Sequence, residues 1–326
     1  VVLAGLLAGA WAEEPAAPAA ARSAQEATPT DGSGAHEDAA ACRRRREQVL
    51  ARLGPGSVLL VLAAGPASGF TGKLRSDDFL YLSPVSAPDA AIVAWDEEGV
   101  FRDAVFLPPR RAALERWNGP LPGPGEDTAA RFGFDSARPL GTLDAHVAEL
   151  LSTRPVLAAS SAAPADGAER LEALTTRVAA LLPAERPLRR KPERGAAEPV
   201  GAAPEGILLQ SATAALAEAR SVKSPEAVES VRRACEATVQ GLLDAARTIA
   251  PGVAEYQVQA VVELRCRIAG CLRQAFDSIV GSGPNSCILH YGANTRTMAA
   301  GDLVVVDVGG EYRGYAADVT RTFPVS

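Results

Sequence analysis

From residue 42 onward, apolar runs of strand length alternate with stretches whose apolar positions recur every three or four residues. SVLLVLAA at 57–64 is continuous and bounded by Gly-Pro-Gly and Gly-Pro, which predicts a strand covered on both faces. AAIVAW at 90–95 and AVFLP at 104–108 repeat that signal. Helical spacing appears in CRRRREQVLARL from Cys42, where Val49, Leu50 and Leu53 share a side and the four arginines are expected to form the solvated face. Two more helical patterns follow at 143–152 and 168–182, so strands alternating with helices predict an α/β domain over 42–185.

Residues 186–206 contain four prolines and no apolar stripe, as a linker or exposed loop would. The first domain with this linker is assigned to 42–206, and a second begins at 207. At Ser224-Pro225-Glu226 an N-cap, a proline at the first helical position and a first-turn acid coincide, predicting a helix to Ile249. Its expected buried face is Val228, Val231, Cys235, Val239 and Leu242. Pro251-Gly252 ends it, and a second helix is expected at 254–269. After Phe276 the pattern turns to strands, with 303–308 and 315–323 joined by Gly309-Gly310-Glu311-Tyr312-Arg313-Gly314 as a hairpin.

Before residue 42 the character changes. VVLAGLLAGAWA at 1–12 is too short to span a bilayer but has the length and small-x-small ending of a signal peptide, which implies export to the periplasm or beyond, with a cytoplasmic protein as the alternative. Residues 13–40 have the composition of a disordered linker, so 1–41 forms a unit apart from the folded domains. Thirty-three basic and 39 acidic residues give a net charge of −6, which argues against a nucleic-acid partner. Five cysteines without a C-x-x-C pair indicate no zinc ribbon, and their odd number argues against a disulfide scaffold.

Candidate chemistry gathers near the C-terminus. With the turn centred on Tyr312 and Arg313, Asp307 falls directly opposite Asp318. Two facing carboxylates repel unless a cation lies between them, for which hard divalent ions such as Mn²⁺ suit oxygen ligands, or unless they share a proton. A shifted register, or one aspartate facing water, is the third reading. His290, in CILHYG at 287–292, is either a core histidine or a donor to a substrate carbonyl. Ser282 and Cys287 lack a nucleophile elbow, so no hydrolase triad is indicated.

Three blocks in order, IVGSGPNSCILHY (279–291), GDLVVVDVGGEY (301–312) and GYAADVTRTFPVS (314–326), resemble the Xaa-Pro aminopeptidases of the pita-bread, methionine aminopeptidase-like metallopeptidase superfamily. The resemblance extends upstream through RSVKSPEAVESVRRACEAT (220–238) and PGVAEY (251–256), and more faintly through KLRSDDFLYLS (73–83) and LERWNG (114–119). It implies a creatinase-like α/β N-terminal domain followed by an α+β pita-bread catalytic domain. That catalytic domain would hold two divalent ions, commonly Mn²⁺, on two Asp, one His and two Glu. Asp307 and Asp318 match the two aspartates, His290 the substrate-side histidine, and Thr320 a residue that orients the site.

The implied reaction is hydrolysis of the bond between an N-terminal residue and proline by a metal-activated water, on proline-containing peptides, in proteins that often form dimers or tetramers. Two departures stand out. Ser83-Pro84 replaces a Thr-Gly common in the family, and the remaining His and two Glu ligands have no counterpart within the 326 residues. On its own the chain is therefore expected to be inactive. Two alternatives share the fold: a prolidase-type Xaa-Pro dipeptidase, and a metal-free relative that binds peptides or proteins.

Overall fold

The computed structural model describes residues 38–63, 77–160, 167–190 and 206–326. The apolar run at 1–12, most of the segment 13–40, and 191–205 lie outside the described residues.

The strand β1 (Ser57–Leu62) is buried at every position. Its side chains alternate between two apolar layers. Val58, Leu60 and Leu62 enter one core with residues of α5 (Leu143–Leu151) and α6 (Gly167–Leu181). Leu59 and Val61 enter the other with α1 (Ala39–Leu53), α4 (Glu126–Phe132) and α7 (Thr213–Ser221). Seven strands form the sheet in the order β4 (Ser136–Pro139), β3 (Val100–Leu107), β2 (Ala91–Glu97), β1, β5 (Val156–Ser160), β7 (Ile207–Ser211), β6 (Leu188–Arg190). The pairs β1–β2 and β2–β3 are antiparallel and the other pairs parallel, so the expected α/β domain is present as a mixed sheet between helical layers.

Three expectations are corrected. The four arginines of α1 do not form one solvated face: Arg44 is exposed and Arg43 half-buried, but Arg46 is fully buried and Arg45 nearly so. Positions 42, 45, 46, 49 and 50 lie on one helical stripe, so these arginines share the face of Val49 and Leu50. Arg46 donates Nε to Asp103 at 2.8 Å, Nη1 to the Leu82 carbonyl at 2.7 Å and Nη2 to the Gly133 carbonyl. Its guanidinium lies 3.8 Å from the Phe134 ring centroid. Burial lowers the Arg46 pKa against the opposing pull of Asp103, and hydrogen bonds at all three nitrogens make the buried charge tolerable.

Second, the boundary placed after residue 206 falls inside the first sheet. The strand β7 pairs with both β5 and β6, and Ala215, Leu216 and Ala219 of α7 fill the core beside α1. Proline-rich flanks concealed the short edge strand β6 that makes this connection.

Third, α8 (Pro225–Thr248) begins at the Ser224 cap as expected, with Ser224 Oγ accepting from Ala227 N at 3.3 Å, but buries a different face. Ala227, Ser230, Ala234, Ala237, Thr238, Gly241 and Ala245 are buried with Leu242, whereas Val228 and Val239 are exposed. Small side chains let α9 (Glu255–Ile268) approach closely: a Cβ on Gly241 would stand 3.0 Å from Val262 Cγ1. Close approach, rather than hydrophobicity alone, selects this face.

His146, on α5, packs against Trp95 with ring centroids 5.1 Å apart and against Phe106 at 5.5 Å. Its Nδ1 sits 2.9 Å from Arg138 Nη1, which makes Nδ1 the acceptor and leaves the proton on Nε2. Burial first, then the neighbouring Arg138 and Arg154 charges, push its pKa down to about 4. A histidine held neutral in the fold but able to protonate near 6.5 when unfolded stabilises the native state fully above pH 6.5. That contribution is lost as pH falls from 6.5 towards 4. Urea unfolding between pH 7 and 4 should therefore show His146→Gln flattening the wild-type pH slope by about 2–3 kcal/mol across that window; parallel curves would contradict the assignment.

Candidate metal and substrate site

The strand β10 (Leu303–Val308) alternates strictly. Val304, Val306 and Val308 are buried in the core beneath α8 and α9, while Leu303, Val305 and Asp307 face the open side. It lies between β9 (Ile279–Ser282) and β13 (Val319–Pro324), antiparallel to both. Beyond Gly309 the hairpin leaves this sheet: β11 (Gly310–Tyr312) and β12 (Tyr315–Ala316) join β8 (Arg273–Gln274) in a second one. Two contacts fix the crossover. A Cβ on Gly309 would stand 1.9 Å from the Ala317 carbonyl oxygen, and Gly310 N donates to Thr238 Oγ1 of α8 at 2.9 Å.

The turn residues are Arg313 (φ 52°) and Gly314 (φ 85°), the double left-handed conformation that suits a two-residue hairpin. The turn thus centres one residue later than expected, which moves every cross-strand partner by two. Asp307 therefore faces Thr320, not Asp318. Thr320 Oγ1 donates to Asp307 Oδ1 at 2.7 Å. Asp318 is exposed and immediately precedes β13, diagonal to Asp307, a relation that places Cα atoms about 7–8 Å apart. Among the described residues neither aspartate enters an ion pair. Two carboxylates without a cationic neighbour fit a hard divalent ion by donor chemistry. They form a partial donor set, since among the described residues no three His, Cys, Asp or Glu side chains group to hold a metal.

His290 lies in a turn after β9 and the 3₁₀ segment Gly283–Cys287. It is exposed, as are Ile288 at 52% and Leu289 at 85%, so it is not a core histidine. Among the described residues no hydrogen bond or ion pair connects it to Asp307, Asp318 or Thr320.

What holds this loop is a residue that sequence reasoning passed over. Glu255, the first residue of α9, is fully buried. Its Oε1 accepts from Ser282 N and Oγ, both at 2.7 Å, and from Asn285 Nδ2 at 3.2 Å. Its Oε2 accepts from Tyr291 Oη at 2.8 Å and Arg296 N at 2.9 Å. Burial alone would raise its pKa, but the bonds from Ser282, Arg296 and Tyr291 outweigh that and hold the carboxyl below its usual range. Asn294, buried and left-handed at φ 47°, completes the loop: its Oδ1 accepts from Val280 N at 3.0 Å and its Nδ2 donates to Ser278 O at 2.7 Å. It thereby occupies the edge of β9 as another strand would. An acid after Pro-Gly was the available signal for Glu255, but it reads equally as an ordinary first-turn residue.

Comparison with known proteins agrees with this architecture. Residues 229–326 match metallopeptidase family M24, and residues 42–158 match the aminopeptidase P N-terminal domain. In these matches an aminopeptidase P N-terminal domain stands ahead of an M24 metallopeptidase domain. The chain is 30% identical over 292 residues to the Xaa-Pro aminopeptidase of Escherichia coli K12, covering 87% of this chain and 62% of that protein. It is 37% identical over 106 residues to the Xaa-Pro dipeptidase of Pyrococcus furiosus, covering 32% of this chain and 30% of that protein. The structure of E. coli aminopeptidase P with the inhibitor Pro-Leu superposes with a TM-score of 0.75 at 26% identity, over 90% of this chain and 63% of that one. The chain thus spans less than two thirds of the length of these aminopeptidases.

Gly309→Ala should cost about 3 kcal/mol, since the new methyl would displace the Ala317 carbonyl and the crossover with it. Chemical denaturation checks this, and a loss below 0.5 kcal/mol would show that Gly309 does not set the register.

Proposed function

We propose that the chain carries part of the active site of a metal-dependent Xaa-Pro aminopeptidase, with proline-containing peptides as substrates. The carrying observation is the pairing of Asp307 with Thr320 beside Asp318, on the open sheet face of a chain whose likeness to an Xaa-Pro aminopeptidase runs through both domains. Asp307 and Asp318 would hold divalent ions, Mn²⁺ by family resemblance. Thr320 occupies one lone pair of Asp307 Oδ1 and fixes the rotamer of that carboxylate, leaving its other oxygen directed away from the threonine. His290, exposed on its loop, offers a ring N–H to a substrate carbonyl oxygen as negative charge develops there. Divalent ions, when bound, lower the pKa of a water and polarise the scissile carbonyl.

The dipeptidase reading shares this chemistry. Likeness to the P. furiosus dipeptidase is confined to 106 residues, whereas likeness to the aminopeptidase covers 292, which favours the aminopeptidase. With Mn²⁺ present, the complete gene product should cleave an Xaa-Pro-Yaa tripeptide at least as well as an Xaa-Pro dipeptide. Asp318→Ala should lower kcat/KM by about a thousandfold, and Thr320→Val by about 10- to 100-fold. Failure to hydrolyse any Xaa-Pro substrate would refute the aminopeptidase, and strict dipeptide selectivity would transfer the assignment to the dipeptidase.

The export expectation belongs to the same reading: residues 1–12 act as the end of a cleaved signal peptide. N-terminal sequencing of protein recovered from its native cells should begin after Ala12, and recovery with Val1–Ala12 intact would overturn the cleaved-signal reading.

A further inference from the structure

No residue of the segment 283–292 is buried, and Cys287, Ile288, Leu289 and His290 are all exposed. Apolar packing therefore cannot determine where the backbone of His290 sits. Besides the short-range bonds from Ser286 Oγ to Gly283 O and from Ile288 N to Asn285 O, the polar contacts that do so converge on one carboxylate. Glu255 takes hydrogen bonds from the stem of the loop at Ser282 and Asn285, from its return at Arg296 N, and from Tyr291, the residue adjoining His290. The Tyr291 hydroxyl also accepts from Thr295 N at 3.4 Å, so one hydroxyl ties both limbs of the tip to a buried anion.

A buried carboxylate is costly unless every donor around it is used, and here five are. Four of the five secure the stem and the return of the loop, where β9 and the bridge between Ala254 and Thr297 already hold the chain. The fifth, from Tyr291, is the bond that reaches the exposed tip. It adds nothing to the hydrophobic core beneath α8 and α9, whose members lie outside 283–292.

From this we propose that Tyr291 and Glu255 are positioning residues for His290: the Tyr291–Glu255 hydrogen bond fixes the exposed imidazole on the substrate side. This rests on the Xaa-Pro aminopeptidase reading of the site. A residue that acts only through His290 has no effect once His290 is gone, which separates positioning from general loop stability.

The test is a double-mutant cycle on the complete gene product with an Xaa-Pro-Yaa substrate and Mn²⁺. Tyr291→Phe should lower kcat about tenfold, the loss expected for one hydrogen bond to a charged group, with little change in KM. His290→Ala should lower it further, and the double variant should match His290→Ala alone. In parallel, amide exchange on Glu255→Gln should accelerate at 288–292 while β10 keeps its protection. Multiplicative losses in the double variant, or Tyr291→Phe within twofold of wild type, would overturn the positioning role while leaving the activity intact. A wild type that hydrolyses no Xaa-Pro substrate would overturn the activity, and with it the role given to Tyr291.

Discussion

The approach of the Ala317 carbonyl to Gly309 is the constraint on which the candidate site depends. No side chain fits between them, so the hairpin breaks there and its outer half passes into a second sheet. The Arg313-Gly314 turn then determines the count of residues back to the break. Together they bring Thr320, not Asp318, opposite Asp307. This register relieves the problem that two directly opposed carboxylates would create, because a neutral hydroxyl that donates a hydrogen bond replaces a second anion at the closest position. Asp318 remains diagonal to Asp307, two residues ahead of Thr320.

Buried charge is used differently in the two domains. Arg46 ties α1 to the sheet and to two backbone carbonyls, and lies among apolar residues from several elements. Removing it would leave the buried Asp103 with only the longer contact to Arg43 at 3.3 Å and the Asp135 N–H, at a cost of about 3 kcal/mol. Glu255 instead has backbone, hydroxyl and amide donors and, among the described residues, no cation in direct contact; Arg296 spends its guanidinium on Asp302 and Ser282. An anion satisfied by directional donors specifies loop shape more narrowly than an ion pair would, since each donor must arrive at its own angle. That suits a segment with no apolar anchor.

Much of the architecture is legible in residue order because it follows from period and punctuation. The continuous run at 57–62 lies at the middle of a two-sided sheet, and Ser224-Pro225 starts α8 at the expected residue. What escaped detection depends on distance. Whether Arg46 faces water or Asp103 depends on a strand 57 residues away. The small-residue face of α8 outcompetes its valines because α9 can come closer to glycine and alanine, a preference that hydrophobicity does not encode. The two aspartates and Thr320 were visible as residues, but their pairing was not, since placing a turn one residue later changes nothing in composition and everything in register. Glu255 was hidden for a related reason: its partners lie 27 to 41 residues downstream.

The same alternation that builds the core presents the carboxylate. Along β10 the even positions insert valines beneath α8 and α9, so the odd position Asp307 must face outward with Val305 and Leu303. A slip of one residue would turn three valines outward and drive Asp307 into that core with Leu303 and Val305, which recover only part of the apolar burial and leave a charge buried. Stability of the sheet and orientation of the Asp307 carboxylate are therefore one constraint. The tip of the His290 loop is free of it, because it is tied down by the Tyr291–Glu255 hydrogen bond and not by the pleat. The loop tip can consequently vary in sequence and shape without disturbing the strand that presents Asp307, as surface loops on a rigid scaffold do.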